Sequence, residues 1–413
     1  MNICITPSLL HGNVNVPSSK SYAHRMLICA ALSNGVSVIK NVTMSKDIEA
    51  TINSLKAVGA EFSIENSDIT VKGISAIPEN ATINCCESGS TLRFMIPVAA
   101  ALGIDAEFIG QGRLPQRPID TYIREFSNKN IIFNYNNTMP FSISGKLSGG
   151  NFFLEGDISS QFVTGLLFAL PLLENDSKII LTSKLESEPY VNMTIEVLRH
   201  FGINITKLSD GYEVKGHQKY NPANLKVEGD YSQAAFYYVA NAIGNNINID
   251  NLNPLSMQGD RKILDIIKNM CYNNGNECML GHFNEDCSDI PDLVPILAVL
   301  GSFGNDESFI YNAKRLRIKE SDRLSAISET LNKLGGKIKV NNDGLIIEPI
   351  ISFNGGVVDS FSDHRIVMCA AIAATRAKND VIIKNAQAVE KSYPLFFNDY
   401  NNLGGKANVI TME

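Results

Sequence analysis

"LKAVGAEF", residues 55–62, reads as the end of an apolar helix, a stop at Gly59 and the first residues of a strand. Gly59 follows an apolar helix-end residue, where a left-handed cap favours glycine because no Cβ opposes a positive φ. The same punctuation recurs in "LRHFGINI" (198–205), "LNKLGGKI" (331–338) and "YNNLGGKA" (400–407), which places Gly202, Gly335 and Gly404 at equivalent stops. Weaker copies lie at "IREFSNKNIIF" (123–133) and "IKNMCYNNGNE" (267–277). The ends are spaced at roughly 63–73 residues, so six units of about 69 residues fill the chain. That period is too long for a helical solenoid, and each unit holds strands and two helices. The alternative is that such helix ends recur in any α/β protein. Three units make about 200 residues, a usual domain size. The midpoint falls near "LKVEGDYSQAAFYY" (225–238), where a strand-like stretch meets Gly229 and Asp230 and then a helix.

The 413 residues exceed what one hydrophobic core holds, since single cores seldom grow past roughly 250–300 residues, so at least two domains are expected. The chain is 44% apolar and 19% charged, with no run long and apolar enough for a spanning helix. "MNICITPSLLHGNV" lacks the basic start, apolar core and cleavage site of a secretory leader, so a soluble, cytoplasmic protein is expected. Eight scattered cysteines without a C-x2-C pair point to reduced thiols. The spacing of Cys271, Cys278, His282 and Cys287 is poor for a metal site, and loop or core cysteines are the simpler reading. A net charge of −7, no Lys/Arg run and no Trp argue against nucleic acid. No G-x4-G-K-[ST] supports a nucleotide kinase.

Several helices begin with polar lead-ins. "VPSSKSYAHRMLICAALSNG" (16–35) has apolar residues at helical spacing after Ser18, Ser19, Lys20 and Ser21, with Asn34-Gly35 as its stop. "CCESGSTLRFMIP" (85–97) sets Ser88, Gly89 and Ser90 before an apolar run, with Cys85-Cys86 as a strand end. "GDISSQFVTGLLFALPLL" (156–173) does the same with Ser159, Ser160 and Gln161. One such start is ordinary capping. Three in successive units, two of them beside Lys20, Arg25 or Arg93, point to a convergent anion site, because free N–H groups and the helix dipole favour negative charge. In the second half, Asp289 and Asp292 precede "LVPILAVLGSF", and Asp363, His364 and Arg365 open "DHRIVMCAAIAA".

"RLRIKESDRL" (315–324) carries six charges from Arg315 to Arg323, and they stop where the stripe Leu324, Ile327, Leu331, Leu334 begins. A solvated face would spread charges along the helix. A helix starting near Ser321 instead places a local sum of +2 at a positive dipole end. Two compensations are open: an anionic ligand, or internal ion pairs to Glu320 or Asp322.

"SSKSYAHR", "ESGSTLR", "RPID", "SSQFVTGLL", "EGDYSQAAFYYVANAI", "DIPDLVPILA", "RIKESDRL", "SDHRIVM" and "VEKSYP" follow one another from about residue 16 to 394. In that order they resemble the enolpyruvyl transferases, and among them the 5-enolpyruvylshikimate-3-phosphate synthase family. The resemblance implies an α/β fold of two domains, each of three βαβαββ units in an inside-out α/β barrel, six units in all. It implies one domain over 19–227, a second over 1–18 plus 228–413, and an active site in the cleft between them. The implied reaction moves the enolpyruvyl group of phosphoenolpyruvate onto the 5-hydroxyl of shikimate 3-phosphate and releases phosphate through a tetrahedral intermediate. It needs no metal or organic cofactor, and a monomer is expected, with glyphosate as inhibitor.

Carried over by motif, Lys20, Ser21, Arg25, Ser159, Ser160, Gln161, Ser187, Asp292 and Lys319 resemble the shikimate 3-phosphate contacts, with Tyr190 lining the same pocket. Lys20, Gly89, Arg117, Gln161, Arg323, Arg365 and Lys391 resemble the phosphoenolpyruvate contacts. Asp292 resembles the acceptor at the 5-hydroxyl, Glu320 the group that protonates and later deprotonates the methylene carbon, and Lys20 an assistant in proton transfer. His24 and His364 read as helix supports. Glu87, Ser90 and Arg315 depart from residues common in the family, which leaves substrate affinity and glyphosate response open. The sister enzyme acting on UDP-N-acetylglucosamine is the near alternative; its usual Lys-Asn and loop cysteine are replaced here by Lys20-Ser21 and "GQGRLPQRP". A noncatalytic sensor of anionic metabolites is the other, and it has no use for Asp292 and Glu320.

Overall fold

The computed structural model describes residues 1–274 and 277–411, with the side chains of 273–278 outside that description. The four strong glycine stops adopt left-handed φ angles of 104° (Gly59), 81° (Gly202), 94° (Gly335) and 86° (Gly404). Each is followed by a residue whose N–H reaches back five positions: Ala60 to Leu55, Ile203 to Leu198, Gly336 to Leu331 and Gly405 to Tyr400, at 2.8–3.1 Å. This 6→1 bond satisfies a carbonyl that the helix end would orphan, and it turns the chain into the next strand. The weak copy at 123–133 uses the same device with Asn130 (φ 64°) in place of glycine, and Ile131 bonds back to Phe126. The copy at 267–277 differs: the helix Ile263–Met270 passes directly into the strand Cys271–Asn274 with no left-handed residue.

Each stop falls inside a βαβαββ module. In the module built from the strands Asn80–Asn84, Asp105–Ile109, Ile132–Asn134 and Phe141–Ser144, the first two pair in parallel across the helix Gly89–Leu102, and the sheet order is first, second, fourth, third. Four other modules repeat that order, while the sixth holds a parallel pair, His11–Asn15 with Asn246–Asp250, and a separate hairpin. Among the described residues these are separate sheets, and none closes on itself, so the expected barrel is not a closed one.

Two of the modules are completed by distant segments. Asn224–Lys226 pairs in parallel with Val36–Lys40, and Asn2–Thr6 lies between Val381–Lys384 and Lys406–Ile410. The chain accordingly divides into two compact units, Ser18–Glu228 and Met1–Pro17 with Gly229–Glu413, each with its own apolar core.

The two helices of a module differ in kind. Gly89–Leu102 is buried at all but two positions and His364–Ala374 at every one, because both are apolar all round and lie inside a unit. The second helices, such as Lys46–Ala57 and Glu188–His200, bury one face only. Polar side chains on the inner helices are therefore concentrated in their first two turns.

Close approach of two inner helices depends on one glycine. A Cβ at Gly165 would lie 2.3 Å from the Arg93 carbonyl and the Tyr122 hydroxyl, and 2.9 Å from Pro97. Pro97 has no N–H for that carbonyl four residues earlier, and Tyr122 Oη donates to it instead at 2.8 Å. Gly165→Val should overpack this contact and destabilise the Ser18–Glu228 unit by about 1–3 kcal/mol, read as a lower urea midpoint at unchanged slope. An unchanged midpoint would show that the helices can separate without loss.

Candidate active site

In the unit Ser18–Glu228, the helix Lys20–Leu32 is capped by Ser19, whose hydroxyl accepts from the Tyr22 N–H. Its first residue, Lys20, donates to Asp47 at 2.8 Å, and Asp47 lies in the first turn of Lys46–Ala57. Arg25 is one turn deeper and 3% exposed. Its guanidinium donates to the carbonyls of Ser21 (2.7 Å) and Tyr190 (2.9 Å) and to Thr194 Oγ1 (2.8 Å), which fixes its plane. Burial lowers the Arg25 pKa to about 10, so it remains a cation at neutral pH.

Ser88 caps Gly89–Leu102, and the expected strand end at Cys85-Cys86 gives way to a turn: the strand stops at Asn84 and Cys86 is left-handed at φ 49°. Gly89 leaves room for its neighbour, since a Cβ there would stand 2.3 Å from Arg117 Nη1 and displace the guanidinium. Ser159 caps Ser160–Ala169 by accepting from the Gln161 N–H. The Gln161 side chain accepts from Arg93 at 2.9 Å and donates to Ser90 at 2.9 Å, and Arg93 also donates to the Pro118 carbonyl. Arg93 is 1% exposed and stacks over Phe162. It ties Gln161 to the segment that carries Arg117. Ser187 precedes Glu188–His200 in a left-handed conformation, φ 56°.

In the other unit the helix begins at Arg323, two residues after Ser321, with Asp322 as its N-cap, accepting from the Ser325 N–H. Arg323 is 2% exposed and is shared among three carboxylates: Nε to Asp363 (2.8 Å), Nη1 to Asp292 (2.9 Å) and Nη2 to Glu320 (2.8 Å). Arg365 donates to the second oxygen of Asp292 at 2.7 Å and to Ser232 Oγ at 3.0 Å. Asp363, fully buried, also caps His364–Ala374 and accepts from Ser321 Oγ at 3.0 Å. The excess positive charge of "RLRIKESDRL" is thus met largely from within, by carboxylates of other segments as well as by Glu320. Arg317 pairs with Asp322 at 3.0 Å, and Arg315 donates to the Ser288 carbonyl. Lys391 donates to the Ser362 carbonyl at 3.0 Å.

Burial by itself would raise the Asp292 carboxyl, but Arg365, Arg323 and Lys319 outweigh it and hold the group well below the usual carboxylate range. Arg323 is held above its ordinary value, because Asp363, Glu320 and Asp292 more than offset its desolvation. Lys319 goes the other way: burial, with Arg315 and Arg323 adding, brings its ammonium down to about 7 against the pull of Asp292 and Glu320. A lysine on the edge of losing its charge among carboxylates and arginines is suited to taking up an anion or a proton.

Asp292, Lys319, Glu320, Arg323 and Arg365 are therefore one electrostatic cluster. Lys20 and Arg25 share one helix start, and Gly89 abuts Arg117. Asp47 and Ser232 were not among the expected site residues, since an isolated carboxylate and a serine carry no local signal, and Arg93 was marked only as a cation beside a helix start. No group of three or more His, Cys, Asp or Glu side chains that could hold a metal occurs among the described residues, and Cys278 lies outside the described side chains.

Repeated βαβαββ modules with cations and hydroxyls at the starts of inner helices define a mixed α/β protein. Residues 5–400 match the EPSP synthase (3-phosphoshikimate 1-carboxyvinyltransferase) family, and the chain belongs to that family. It is 45% identical over 418 residues to the 3-phosphoshikimate 1-carboxyvinyltransferase of Clostridium perfringens, covering 98% of each chain. It is likewise 45% identical over 426 residues to that of Clostridium novyi, again with 98% of each covered. In fold it is similar to an EPSP synthase structure from Acinetobacter baumannii, with a TM-score of 0.81 at 23% identity over 99% of this chain and all of the other. No helix among the described residues is long and apolar enough to cross a membrane.

Removing one partner of a buried ion cluster leaves the others uncompensated. Arg323→Met should destabilise its unit by about 3–5 kcal/mol at pH 7.5, measured by urea denaturation. Freed of the guanidinium, Asp292 binds a proton more readily, so the loss should shrink at pH 5.5. A loss that is the same at both pH values would mean that the carboxylates do not depend on Arg323.

Proposed function

We propose that this protein transfers the enolpyruvyl group of phosphoenolpyruvate to the 5-hydroxyl of shikimate 3-phosphate, in the route to chorismate and the aromatic amino acids. Family membership over nearly the whole chain supports the reaction. The observation that carries the chemistry is the grouping of Asp292, Lys319 and Glu320 around Arg323 and Arg365. Both substrates carry a phosphate and a carboxylate, together about five to six negative charges. The cations Lys20, Arg25, Arg117, Lys319, Arg323, Arg365 and Lys391 are numerous enough to hold them, and the arginines suit bidentate recognition of planar or tetrahedral oxyanions.

The roles are those that the family resemblance implies. Lys20, Ser21, Arg25, Ser159, Ser160, Gln161, Ser187 and Lys319 hold shikimate 3-phosphate; Lys20, Gly89, Arg117, Gln161, Arg323, Arg365 and Lys391 hold phosphoenolpyruvate. Without substrate, Arg323 and Arg365 are turned to Asp292 and keep it a weak base. An incoming oxyanion that draws off these guanidinium donors raises the proton affinity of Asp292, which then accepts the proton of the 5-hydroxyl as oxygen attacks C2. Glu320 delivers a proton to the methylene carbon. In the second step it removes one from the resulting methyl group, the C–O bond to phosphate breaks, and phosphate departs. The protein acts as a cytoplasmic monomer that needs no metal.

Phosphate release should require both substrates together, measured with each alone and combined. Release with UDP-N-acetylglucosamine in place of shikimate 3-phosphate at an equal rate would transfer the assignment to the sister reaction. Glu320→Gln should bind both substrates and lose turnover by about 100-fold or more.

Lys319 yields a signed pH dependence. With its pKa near 7 in the free protein, the side chain is mostly neutral at pH 8 and must be protonated to hold a phosphate. Binding of shikimate 3-phosphate at pH 8 should therefore take up close to one proton, and less as pH falls toward 6. Calorimetry in two buffers of different ionisation enthalpy reads this directly, and Lys319→Met should abolish the uptake. Uptake unchanged in that variant would assign the proton to another group.

A further inference from the structure

Four side chains from three helices of the Ser18–Glu228 unit form a chain of short hydrogen bonds: His24 Nδ1 to Thr51 Oγ1 (2.7 Å), Thr51 Oγ1 to Thr91 Oγ1 (2.7 Å), and Thr91 Oγ1 to Ser88 Oγ (2.7 Å). All four residues are at most 1% exposed. The chain joins Lys20–Leu32, Lys46–Ala57 and Gly89–Leu102, the helices whose first turns carry Lys20, Asp47 and Gly89.

Each hydroxyl has a single proton, which orders the donors. Thr91 gives its proton to Ser88, so Thr91 accepts from Thr51, and Thr51 in turn accepts from His24. His24 must then carry its proton on Nδ1. Among the described residues Nε2 has no hydrogen-bond partner, as a bare nitrogen in an apolar setting beside Phe94 can tolerate better than an N–H. Burial, with Lys20 and Arg25 nearby, holds the ring well below its ordinary pKa and thus neutral.

The far end of the chain is functional in its placement. Ser88 accepts from the Thr91 N–H as the cap of its helix, and the next residue is Gly89, whose backbone has no room for a Cβ beside the Arg117 guanidinium. A shift of the cap by a few tenths of an ångström would move the Gly89 backbone relative to Arg117.

We propose that His24 is a positioning residue: as the neutral Nδ1–H tautomer it donates into the Thr51–Thr91–Ser88 hydroxyl chain and so holds Gly89 against Arg117 for the phosphoenolpyruvate side of the reaction. This rests on the function proposed above for Gly89 and Arg117. On the shikimate 3-phosphate side, the Arg25 guanidinium is held by bonds of its own to Ser21, Tyr190 and Thr194.

Two measurements test it. Nitrogen NMR of the 15N-histidine-labelled wild-type protein, with the His24 signals assigned by a His24→Asn variant, should show a protonated Nδ1 and an unprotonated Nε2 at pH 7. A proton on Nε2, or on both nitrogens, overturns the wiring whether or not the protein turns over. In steady-state kinetics, the isosteric Thr51→Val should raise KM for phosphoenolpyruvate about tenfold with KM for shikimate 3-phosphate changed less than about twofold, and Thr51→Ser should restore it. Equal changes in both KM values, or none, overturn the positioning role. An absence of turnover in wild type with both substrates defeats the proposed function instead, and leaves the tautomer measurement to decide the hydroxyl chain.

Discussion

A single buried guanidinium organises one half of the candidate active site. Arg323 has five N–H donors in a rigid plane and almost no contact with water, so every edge must meet an acceptor or lose several kcal/mol of hydration. Asp363, Asp292 and Glu320 meet those edges from three different segments. Because Asp363 also caps the helix that carries Arg365, the position of one arginine sets the start of the other helix. The three carboxylates are paired with Arg323 without ligand, yet two of them remain partly open to solvent while Asp363 does not. An entering oxyanion competes with the open pair and leaves the buried one as an anchor.

The fold makes such clusters accessible by concentrating polar residues in the first two turns of its inner helices. The inner helices are apolar round their whole circumference, so serines, lysines and acids have nowhere to stand except at the first turn. Repetition of one module then supplies several such starts, each with free N–H groups and a positive dipole end. The two halves solve the local charge problem differently. In Ser18–Glu228 the cations meet mainly carbonyls and hydroxyls, with Asp47 on Lys20; in the other unit they meet carboxylates. The carboxylates are where proton transfer is proposed, and the hydroxyls where phosphate binding is proposed.

Much of this was legible beforehand. The glycine stops at 59, 202, 335 and 404 announced helix ends because a positive φ is costly for other residues, and all four are left-handed. The stop at Asn130 was weaker for the same reason, since asparagine adopts that conformation less freely. The motif order pointed to the family and to the residues gathered here around Arg323. Illegible were the contacts between distant segments: Asp47 on Lys20, Arg93 on Gln161, Asp363 on Arg323, and the hydroxyl chain from His24 to Ser88.

By itself the sequence determined the module, its repetition and the polar character of each helix start, because these depend on local periodicity, capping and backbone preference. Only tertiary structure decided how the charges are spent. Whether Arg323 waits for a ligand or is already paired depends on two carboxylates 31 and 40 residues away in the chain, and no local pattern encodes a distance in space. The surplus of "RLRIKESDRL" that suggested an external anion is held inside the unit, and a substrate would have to compete for it.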